Sequence, residues 1–317
     1  MIITENTCLQ QVAEIIGWEN VSYMLDPMEG VPGFETVLGN PFSQQPLSVL
    51  RQVAPAWGLQ PIIYGLEHLV ERCKAGQVFY SCSHQPHTGL AVFPLKKRSK
   101  CVIICPGGGY FNVCSLAEGY PIAARLNELG YAAVVVNYRT NGNAAAPNPM
   151  EDLASAVRFV FDHADEWNLD MEGYAVMGFS AGGHLAASFG TSSLGYAHYG
   201  LPKPGCMMLA YPVVTMGEFA HAGSRELLLG KDADKTLVDS YSIEKQVDAA
   251  YPKTFLWQCD RDDVVPVENS RMLAASLEHW DIPHQYELFP GTAHGWGLAT
   301  DTAADGWVDR AVTFWEE

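Results

Sequence analysis

The segment YAVMGFSAGGHLAAS, residues 174–188, places a serine between an apolar stretch and a helical stretch. Gly178, Ser180 and Gly182 form the pattern G-x-S-x-G within it. A serine on a sharp strand-to-helix turn takes strained dihedral angles, and the positions two before and two after it crowd the backbone, so only small residues fit there. The turn also directs the N-terminus of the following helix at the hydroxyl, which favours developing negative charge. The pattern predicts that Ser180 is a nucleophile, the alternative being a serine with a structural role only.

Short apolar segments alternate with amphipathic helical segments from residue 101 onward. The predicted strands are rich in β-branched or aromatic residues and end at Gly, Pro or Asp: 101–105, 132–137, 174–178, 206–210, 254–259 and 285–289. Several are apolar at nearly every position, which suits parallel strands covered on both faces. Residues 77–95 carry two further strand-like pieces, which we expect at an antiparallel edge. The alternation predicts an α/β fold with a mostly parallel sheet of about eight strands and helices on both faces.

Helix boundaries can be placed from Pro, Gly and capping residues. The first predicted helix of the α/β region has Pro121 near its start and ends at Leu129, and the second is capped by Asn148 and continues to about residue 165. A third helix follows Ser180, a fourth covers about 267–279, and a fifth runs from about 302 to the end. Residues 1–76 differ, with short helical patterns at 7–16, 47–54 and 64–74. We therefore predict an N-terminal helical extension over 1–76 and an α/β domain over 77–317.

A serine nucleophile needs a base, and the base needs a group that orients it. After a G-x-S-x-G turn these partners follow in the order acid, then histidine. His294 lies in a glycine-rich loop just past the last predicted strand and is the predicted base, although it could instead cap a turn. Asp260, Asp262 and Asp263 follow the preceding strand, and local spacing leaves the choice among them open.

The sequence CPGGGY follows the first central strand of the predicted sheet and contains Gly107, Gly108 and Gly109. Such a loop supplies one backbone N–H to the oxyanion of an acyl-transfer reaction, and the residue after the nucleophile, Ala181, supplies another. The sequence argues against a phosphate loop that binds a dinucleotide or an NTP, because G-x-G-x-x-G would need a glycine where Asn112 stands, and no G-K-[ST] follows. A tight turn without a binding role remains the alternative.

Charge and composition exclude several classes of partner. The 317 residues include 19 basic and 36 acidic ones, for a formal charge of -17, which would repel nucleic acid and anionic membranes. No apolar run is long enough to span a bilayer. The N-terminus lacks the features of a secretory signal, so we expect a cytoplasmic protein unless a leader has been removed. A small neutral molecule is the expected partner, and a homo-oligomer is compatible with these features.

The eight cysteines are scattered, which favours reduced thiols in a chain of this size. Cys82, His84 and His87 could be taken for metal ligands. No second Cys or His pair stands at matching spacing, so we expect a surface hairpin with incidental histidines and no metal or other cofactor.

In its motifs the sequence resembles bacterial α/β-hydrolases related to acetylxylan esterases and similar carbohydrate esterases. The resemblance extends from about Phe79 to about Ala299. The matching segments are CPGGGY (105–110), VNYR (136–139), EDL (151–153), GFSAGGHLAA (178–187), AYPV (210–213), GSRELLLG (223–230), DDVVPVENS (262–270) and AHGWGLA (293–299). Their order and spacing are much more specific than G-x-S-x-G alone. The N-terminal 76 residues are additional to the minimal fold of this group.

The resemblance implies a role for several side chains. In such proteins the triad acid stands four residues before the proline of a D-x-V-V-P segment, here Pro266, which points to Asp262. The resemblance also implies that Gly108, Gly109 and Ala181 are the oxyanion donors, that Tyr110 and Tyr211 border the acyl pocket, and that Tyr138 and Arg139 are structural, with Arg139 paired to Asp152.

These observations together predict a metal-independent serine esterase that deacylates small esters, such as acetylated sugars or oligosaccharides, through an acyl-enzyme. Ser180, His294 and Asp262 would form its triad. A peptidase of the prolyl-oligopeptidase type shares such a triad, but 76 residues are too few for the propeller domain of those enzymes. A catalytically silent binding module on the same scaffold is the alternative from a different class.

Overall fold

The centre of the protein is an eight-stranded sheet. The computed structural model describes residues 2–17, 22–25, 27, 36–85 and 87–317. Its strands are β1 (Thr36–Val37), β2 (Asn40–Pro41), β3 (Phe79–Tyr80), β4 (Gly89–Phe93), β5 (Ser99–Cys105), β6 (Ala132–Asn137), β7 (Leu169–Phe179), β8 (Cys206–Ala210), β9 (Lys253–Cys259) and β10 (His284–Phe289). β1 and β2 form a separate hairpin, and β3 to β10 form the large sheet.

The strand order of the large sheet is β10-β9-β8-β7-β5-β6-β4-β3. β5 to β10 run parallel, while β4 pairs antiparallel with β6 and β3 antiparallel with β4. This arrangement confirms the predicted α/β-hydrolase fold, including the antiparallel edge. In the central register Cys105 pairs with Gly178, and Phe179 pairs with Ala210. The carboxyl ends of the central strands therefore meet at one edge, where open α/β sheets bind their ligands.

Helices cover both faces of the sheet. They are α1 (Leu9–Ile16), α2 (Ser22–Leu25), α3 (Leu50–Val53), α4 (Leu59–Ala75), α5 (Ser115–Glu118), α6 (Tyr120–Glu128), α7 (Asn148–Asp162), α8 (Ser180–Phe189), α9 (Ala222–Leu229), α10 (Lys235–Ser240), α11 (Glu268–His279) and α12 (Trp307–Glu316). Several boundaries differ from the prediction: α4 begins at Leu59 where 64 is predicted, α7 ends at Asp162 where about 165 is predicted, and β7 begins at Leu169 where 174 is predicted. α7 includes Asn148, with Pro147 at the N-cap, and α12 begins only at Trp307 because Gly306 has a left-handed φ of 73°.

The N-terminal segment packs on the same hydrophobic cluster as α6, α12 and one face of the sheet. α4 crosses α6 closely, since a Cβ on Gly65 would lie 2.5 Å from the backbone nitrogen of Pro121. The hydroxyl of Tyr120 donates to the carbonyl of Met24 at 2.6 Å. The N-terminal segment is therefore attached to the sheet domain through a shared hydrophobic core. Its status as a separate domain over 1–76 stays a prediction.

Among the helices of the described residues, none combines the length and apolar character needed to cross a membrane. The eight cysteines are all free thiols.

Candidate active site

Ser180 lies at the junction between β7, which ends at Phe179, and α8, which begins at Ser180 itself. Its φ of +51° is a left-handed conformation that a serine rarely adopts. A Cβ on Gly178 would lie 2.4 Å from the carbonyl oxygen of Gly182, and a Cβ on Gly182 would lie 2.2 Å from that of Pro106. Neither position has room for a larger residue, which is the steric reason for the G-x-S-x-G pattern.

Two hydrogen bonds connect Ser180, His294 and Asp262. The Nε2 atom of His294 lies 2.8 Å from the Ser180 Oγ, and its Nδ1 atom lies 2.8 Å from the Asp262 Oδ2. The side chain of His294 is 11% exposed and that of Asp262 is fully buried. The structure thus brings together the three residues that were predicted from three separate segments of the chain.

The carboxylate of Asp262 accepts further hydrogen bonds that fix its orientation. Its Oδ1 accepts the N–H groups of Val264 at 3.0 Å and Val265 at 2.9 Å, and its Oδ2 accepts from Gln258 Nε2 at 3.2 Å. Because an ionised carboxylate can only accept, the Nδ1 of His294 carries the proton of the neutral imidazole. Nε2 is then left with a lone pair directed at the Ser180 hydroxyl, as a general base requires.

The two neighbouring aspartates have other partners. Asp260 accepts the N–H of Gly291 at 3.0 Å, and this bond lowers the pKa of Asp260. Asp263 is exposed, and its backbone N–H donates to the carbonyl of Thr292 at 3.0 Å. Of the three candidates for the acid, the structure places only Asp262 against His294.

The glycine loop, residues 106–110, lies beside Ser180. A Cβ on Gly107 would lie 2.8 Å from the Ser180 Cβ, and Gly108 and Gly109 have φ values of 127° and 65°. In the part of the chain that the structure describes, the backbone N–H groups of Gly108, Gly109 and Ala181 have no hydrogen-bond acceptor. These three donors are therefore free to bind a ligand oxygen.

Tyr110 and Tyr211 are both almost completely buried, at 1% and 2% exposure. The Tyr110 hydroxyl lies 2.9 Å from the Nδ1 of His184, and the ring borders a cavity of about 140 Å³ whose lining includes neither Ser180 nor His294. The Tyr211 ring packs edge-on against the His294 imidazole, with 4.8 Å between centroids. Tyr211 thus supports the base from within the core. A role for either side chain at the acyl pocket stays a prediction.

The structure confirms the predicted ion pair between Arg139 and Asp152. The Nε of Arg139 lies 2.9 Å from the Asp152 Oδ2, and the Arg139 backbone N–H donates to the same oxygen at 2.8 Å. Next to this pair, the hydroxyl of Tyr138 donates to the carbonyl of Pro106. Tyr138 therefore supports the first residue of the glycine loop from below.

Sequence reasoning missed a buried carboxylate, Glu118, that lies next to the glycine loop. It is 3% exposed and accepts the N–H of Gly107 at 2.7 Å and the hydroxyl of Tyr211 at 2.8 Å. Burial raises the pKa of Glu118, and these two hydrogen bonds oppose that shift. In the sequence Glu118 ends the segment Cys-Ser-Leu-Ala-Glu and belongs to no recognisable motif, so no local signal marks it.

His221 is a second residue near the site that the sequence did not single out. A Cβ on Gly109 would lie 3.6 Å from its Cε1 atom, and its Nδ1 accepts the N–H of Ser224 at 3.2 Å as the cap of α9. Burial lowers the pKa of His221, and the charge of His294 lowers it further. The glycine loop is therefore bordered by a second, neutral imidazole.

In the described ranges of the chain, no group of three or more His, Cys, Asp or Glu side chains is arranged to hold a metal ion. Cys82, which stands near His84 and His87 in the sequence, is a partly buried free thiol, and burial raises its pKa to about 11.

The fold and the geometry at the carboxyl edge of the sheet define an α/β-hydrolase. Comparisons with known proteins narrow this class. The sequence pattern of the BD-FAE family matches residues 93–197. The solved acetyl ester-xyloside bifunctional hydrolase from Caldicellulosiruptor lactoaceticus is 33% identical with a TM-score of 0.69, over 75% of this chain and 95% of that chain. The chain belongs to the acetylxylan-esterase-like carbohydrate esterases, a family of carboxylic ester hydrolases with the α/β-hydrolase fold.

Two curated relatives also match. Endo-1,4-beta-xylanase B of Butyrivibrio fibrisolvens is 36% identical over 220 residues, 66% of this chain and 34% of the relative. The acetylxylan esterase of Xylanibacter ruminicola is 32% identical over 213 residues, 65% of this chain and 43% of the relative. The chain thus spans between a third and a half of the length of these two proteins.

Proposed function

We propose that this protein is a serine esterase that removes small acyl groups, in particular O-acetyl groups, from sugars or short oligosaccharides. The observation that carries the proposal is the continuous set of hydrogen bonds from Ser180 through His294 to the buried Asp262. The relatives support the substrate class, since one is named an acetylxylan esterase and another an acetyl ester-xyloside hydrolase.

The acylation half of the reaction uses the residues as follows. Ser180 Oγ attacks the ester carbonyl carbon while its proton moves to Nε2 of His294, and Asp262 stabilises the imidazolium that forms. The carbonyl oxygen becomes an oxyanion that accepts hydrogen bonds from Ala181 and from Gly108 or Gly109. Collapse of this intermediate breaks the bond to the sugar oxygen, which leaves as an alcohol with the proton from His294.

Deacylation repeats these steps with water. His294 removes a proton from water as the water oxygen attacks the acyl-Ser180 carbonyl, and the same N–H groups bind the second oxyanion. Collapse returns the proton to Ser180 Oγ and releases the carboxylic acid. No step requires a metal or an organic cofactor, because the proton transfers and both oxyanions are handled by groups of the chain itself.

Hydrolysis of p-nitrophenyl acetate tests the proposal. We expect the wild-type chain to release p-nitrophenol and Ser180→Ala to lose this activity, with unchanged circular dichroism and thermal unfolding. Undiminished turnover in Ser180→Ala would contradict the nucleophile assignment.

A substrate panel tests the natural ester. Acetylated xylo-oligosaccharides are compared with aryl acetates and with esters of longer acids at equal concentration. A higher kcat/KM for the acetylated saccharides supports the proposed substrate class, and a preference for long-chain aryl esters contradicts it.

A further inference from the structure

Glu118 joins the two loops that meet at Ser180. Its Oε2 accepts the Gly107 N–H at 2.7 Å, and its Oε1 accepts the Tyr211 hydroxyl at 2.8 Å. The Tyr211 oxygen in turn accepts the N–H of Gly297 at 2.9 Å. A continuous chain of hydrogen bonds therefore runs from the glycine loop, through a buried carboxylate, to the loop that carries the general base.

The directions of these bonds favour an ionised Glu118. Tyr211 has a single hydroxyl proton, and because the Gly297 N–H already donates to the tyrosine oxygen, that proton points at Glu118. Each carboxylate oxygen thus accepts one hydrogen bond, which stabilises the charged form. Burial works against this and raises the pKa of Glu118, whereas the charge of His294 lowers it.

The other titratable groups around Glu118 are neutral. Burial raises the pKa of each of them well above its ordinary value: Cys114, Tyr138 and Tyr211. His294 is faced by two further titratable groups, Asp262 and His221. A charged His294 is therefore acted on by Asp262 through direct contact and by Glu118 from beneath the glycine loop.

We propose that Glu118 is a positioning residue for the esterase reaction, with two effects. It holds the Gly107 peptide so that the N–H groups of Gly108 and Gly109 stay directed at the acyl oxygen, and its charge stabilises the imidazolium of His294. This inference rests on the proposed function. Glu118 takes no proton in it and touches no substrate, because its side chain is buried and both of its oxygens are occupied.

Close packing explains why the glycine loop depends on this carboxylate. A Cβ on Gly107 would lie 2.8 Å from the Glu118 Oε2, 2.8 Å from the Ser180 Cβ and 2.7 Å from the Phe179 carbonyl oxygen. Gly107 is thus enclosed between the carboxylate and the nucleophile turn. Preorganised backbone donors lose much of their effect on a developing oxyanion when they are displaced, so a shift of this peptide affects turnover.

The variant Glu118→Gln keeps the shape of the side chain and removes its charge. One of the two donors, Gly107 N–H or Tyr211 O–H, then faces an amide NH₂. We expect kcat for p-nitrophenyl acetate to fall about 10- to 100-fold. We also expect the acid limb of the kcat/KM profile to move to lower pH, because protonated His294 loses a nearby negative charge. Wild-type turnover and an unmoved acid limb in a folded Glu118→Gln protein would overturn the proposal.

Tyr211→Phe is the matched variant, because it keeps the ring against His294 and the charge of Glu118 but breaks the chain of hydrogen bonds. We expect a lower kcat with no movement of the acid limb to lower pH. Wild-type kcat in Tyr211→Phe would overturn the proposed link between the loops. If Glu118→Gln does not fold, this kcat alone tests whether the chain of hydrogen bonds through Glu118 supports turnover.

A titration without turnover separates this inference from the proposed function. The midpoint for protonation of the His294 imidazole is measured by NMR in Ser180→Ala and in Ser180→Ala/Glu118→Gln. A lower midpoint in the double variant supports the charge effect even if no ester is hydrolysed, and an equal midpoint refutes it. Absence of esterase activity in the wild-type protein would instead contradict the proposed function.

Discussion

Asp262→Asn should remove most of the turnover and leave the fold intact. In the wild-type protein four donors reach the carboxylate, two on each oxygen. Asparagine has a single acceptor oxygen. If that oxygen keeps the N–H groups of Val264 and Val265, the amide NH₂ replaces Oδ2 and faces the Nδ1 of His294. An Nδ1–H cannot donate to an NH₂ group, so the imidazole takes the other tautomer.

The tautomer determines the size of the effect. With a proton on Nε2, His294 can no longer accept the proton of Ser180 at the 2.8 Å contact between them. The variant therefore loses general-base catalysis as well as the charge that stabilises the imidazolium. We expect kcat to fall about 10³- to 10⁴-fold, which corresponds to about 4 to 5.5 kcal/mol of transition-state stabilisation.

The same change should lower stability by a smaller amount. The side chain of Asp262 is fully buried, and Gln258 would face an amide donor in place of the carboxylate oxygen it now binds at 3.2 Å. One unsatisfied buried polar group costs about 1 to 3 kcal/mol. Urea unfolding should show a loss of this order, and the variant should remain folded under assay conditions.

Asp260→Asn and Asp263→Asn are the matched controls, since each removes the same charge within two residues of Asp262. An asparagine at 260 can still accept the N–H of Gly291, and the side chain of Asp263 is exposed. We expect both to keep kcat within about threefold of wild type. The reasoning is refuted if Asp262→Asn stays within tenfold of the wild-type kcat, or if either control loses as much activity.

Two further substitutions test the G-x-S-x-G turn around Ser180 and the buried side chain of His184. Gly182→Ala places a Cβ 2.2 Å from the carbonyl oxygens of Cys105 and Pro106, so we expect a loss of about 1 to 3 kcal/mol in unfolding free energy and slower ester hydrolysis. Gly76→Ala, with no heavy atom within 4 Å of its Cβ, is the control and should be neutral. Burial lowers the pKa of His184 to about 4, so the unfolded chain, with a pKa of about 6.5, binds the proton first and stability falls between pH 6.5 and pH 4. The free energy of unfolding in urea should therefore fall from pH 7 to pH 4.5 in the wild-type protein, and it should fall by about 2 to 3 kcal/mol less in His184→Asn. An equal fall in both proteins would contradict this.

The central strands were predictable because their signals are local. β5, β6, β8 and the second half of β7 are short apolar segments bounded by turn residues, and burial on both faces of a parallel sheet requires that composition. The first half of β7, with Asp170 and Glu172, was not predicted because it is polar. The helices of the surface loops were missed. α9 and α10 are capped by His221 and Asp234, whose side chains accept N–H groups of their own first turns. Such caps become visible only when the short helix that follows them is known.

Whether a site residue could be predicted from the sequence likewise depends on how far away in the chain its interaction partners stand. Ser180 is marked by the steric demands of its own turn, so three neighbouring residues suffice to find it. Asp260, Asp262 and Asp263 are equivalent in local sequence, and the hydrogen bonds from Val264 and Val265 that aim Asp262 at His294 exist only in the folded loop.

Glu118 is the site residue that the sequence predicts least well, because its partners stand far away in the chain. Its partners Gly107 and Tyr211 stand 11 and 93 residues away in the chain, and its burial depends on the closure of the glycine loop over α5. A buried carboxylate is costly unless hydrogen bonds or a charge compensate for lost solvation. The compensation here comes from Gly107 of the glycine loop and from Tyr211, whose oxygen in turn accepts the Gly297 N–H of the loop that holds His294. If Glu118 were only a structural filler, a neutral side chain of the same shape would serve equally well, and the pH profile of Glu118→Gln distinguishes these two roles.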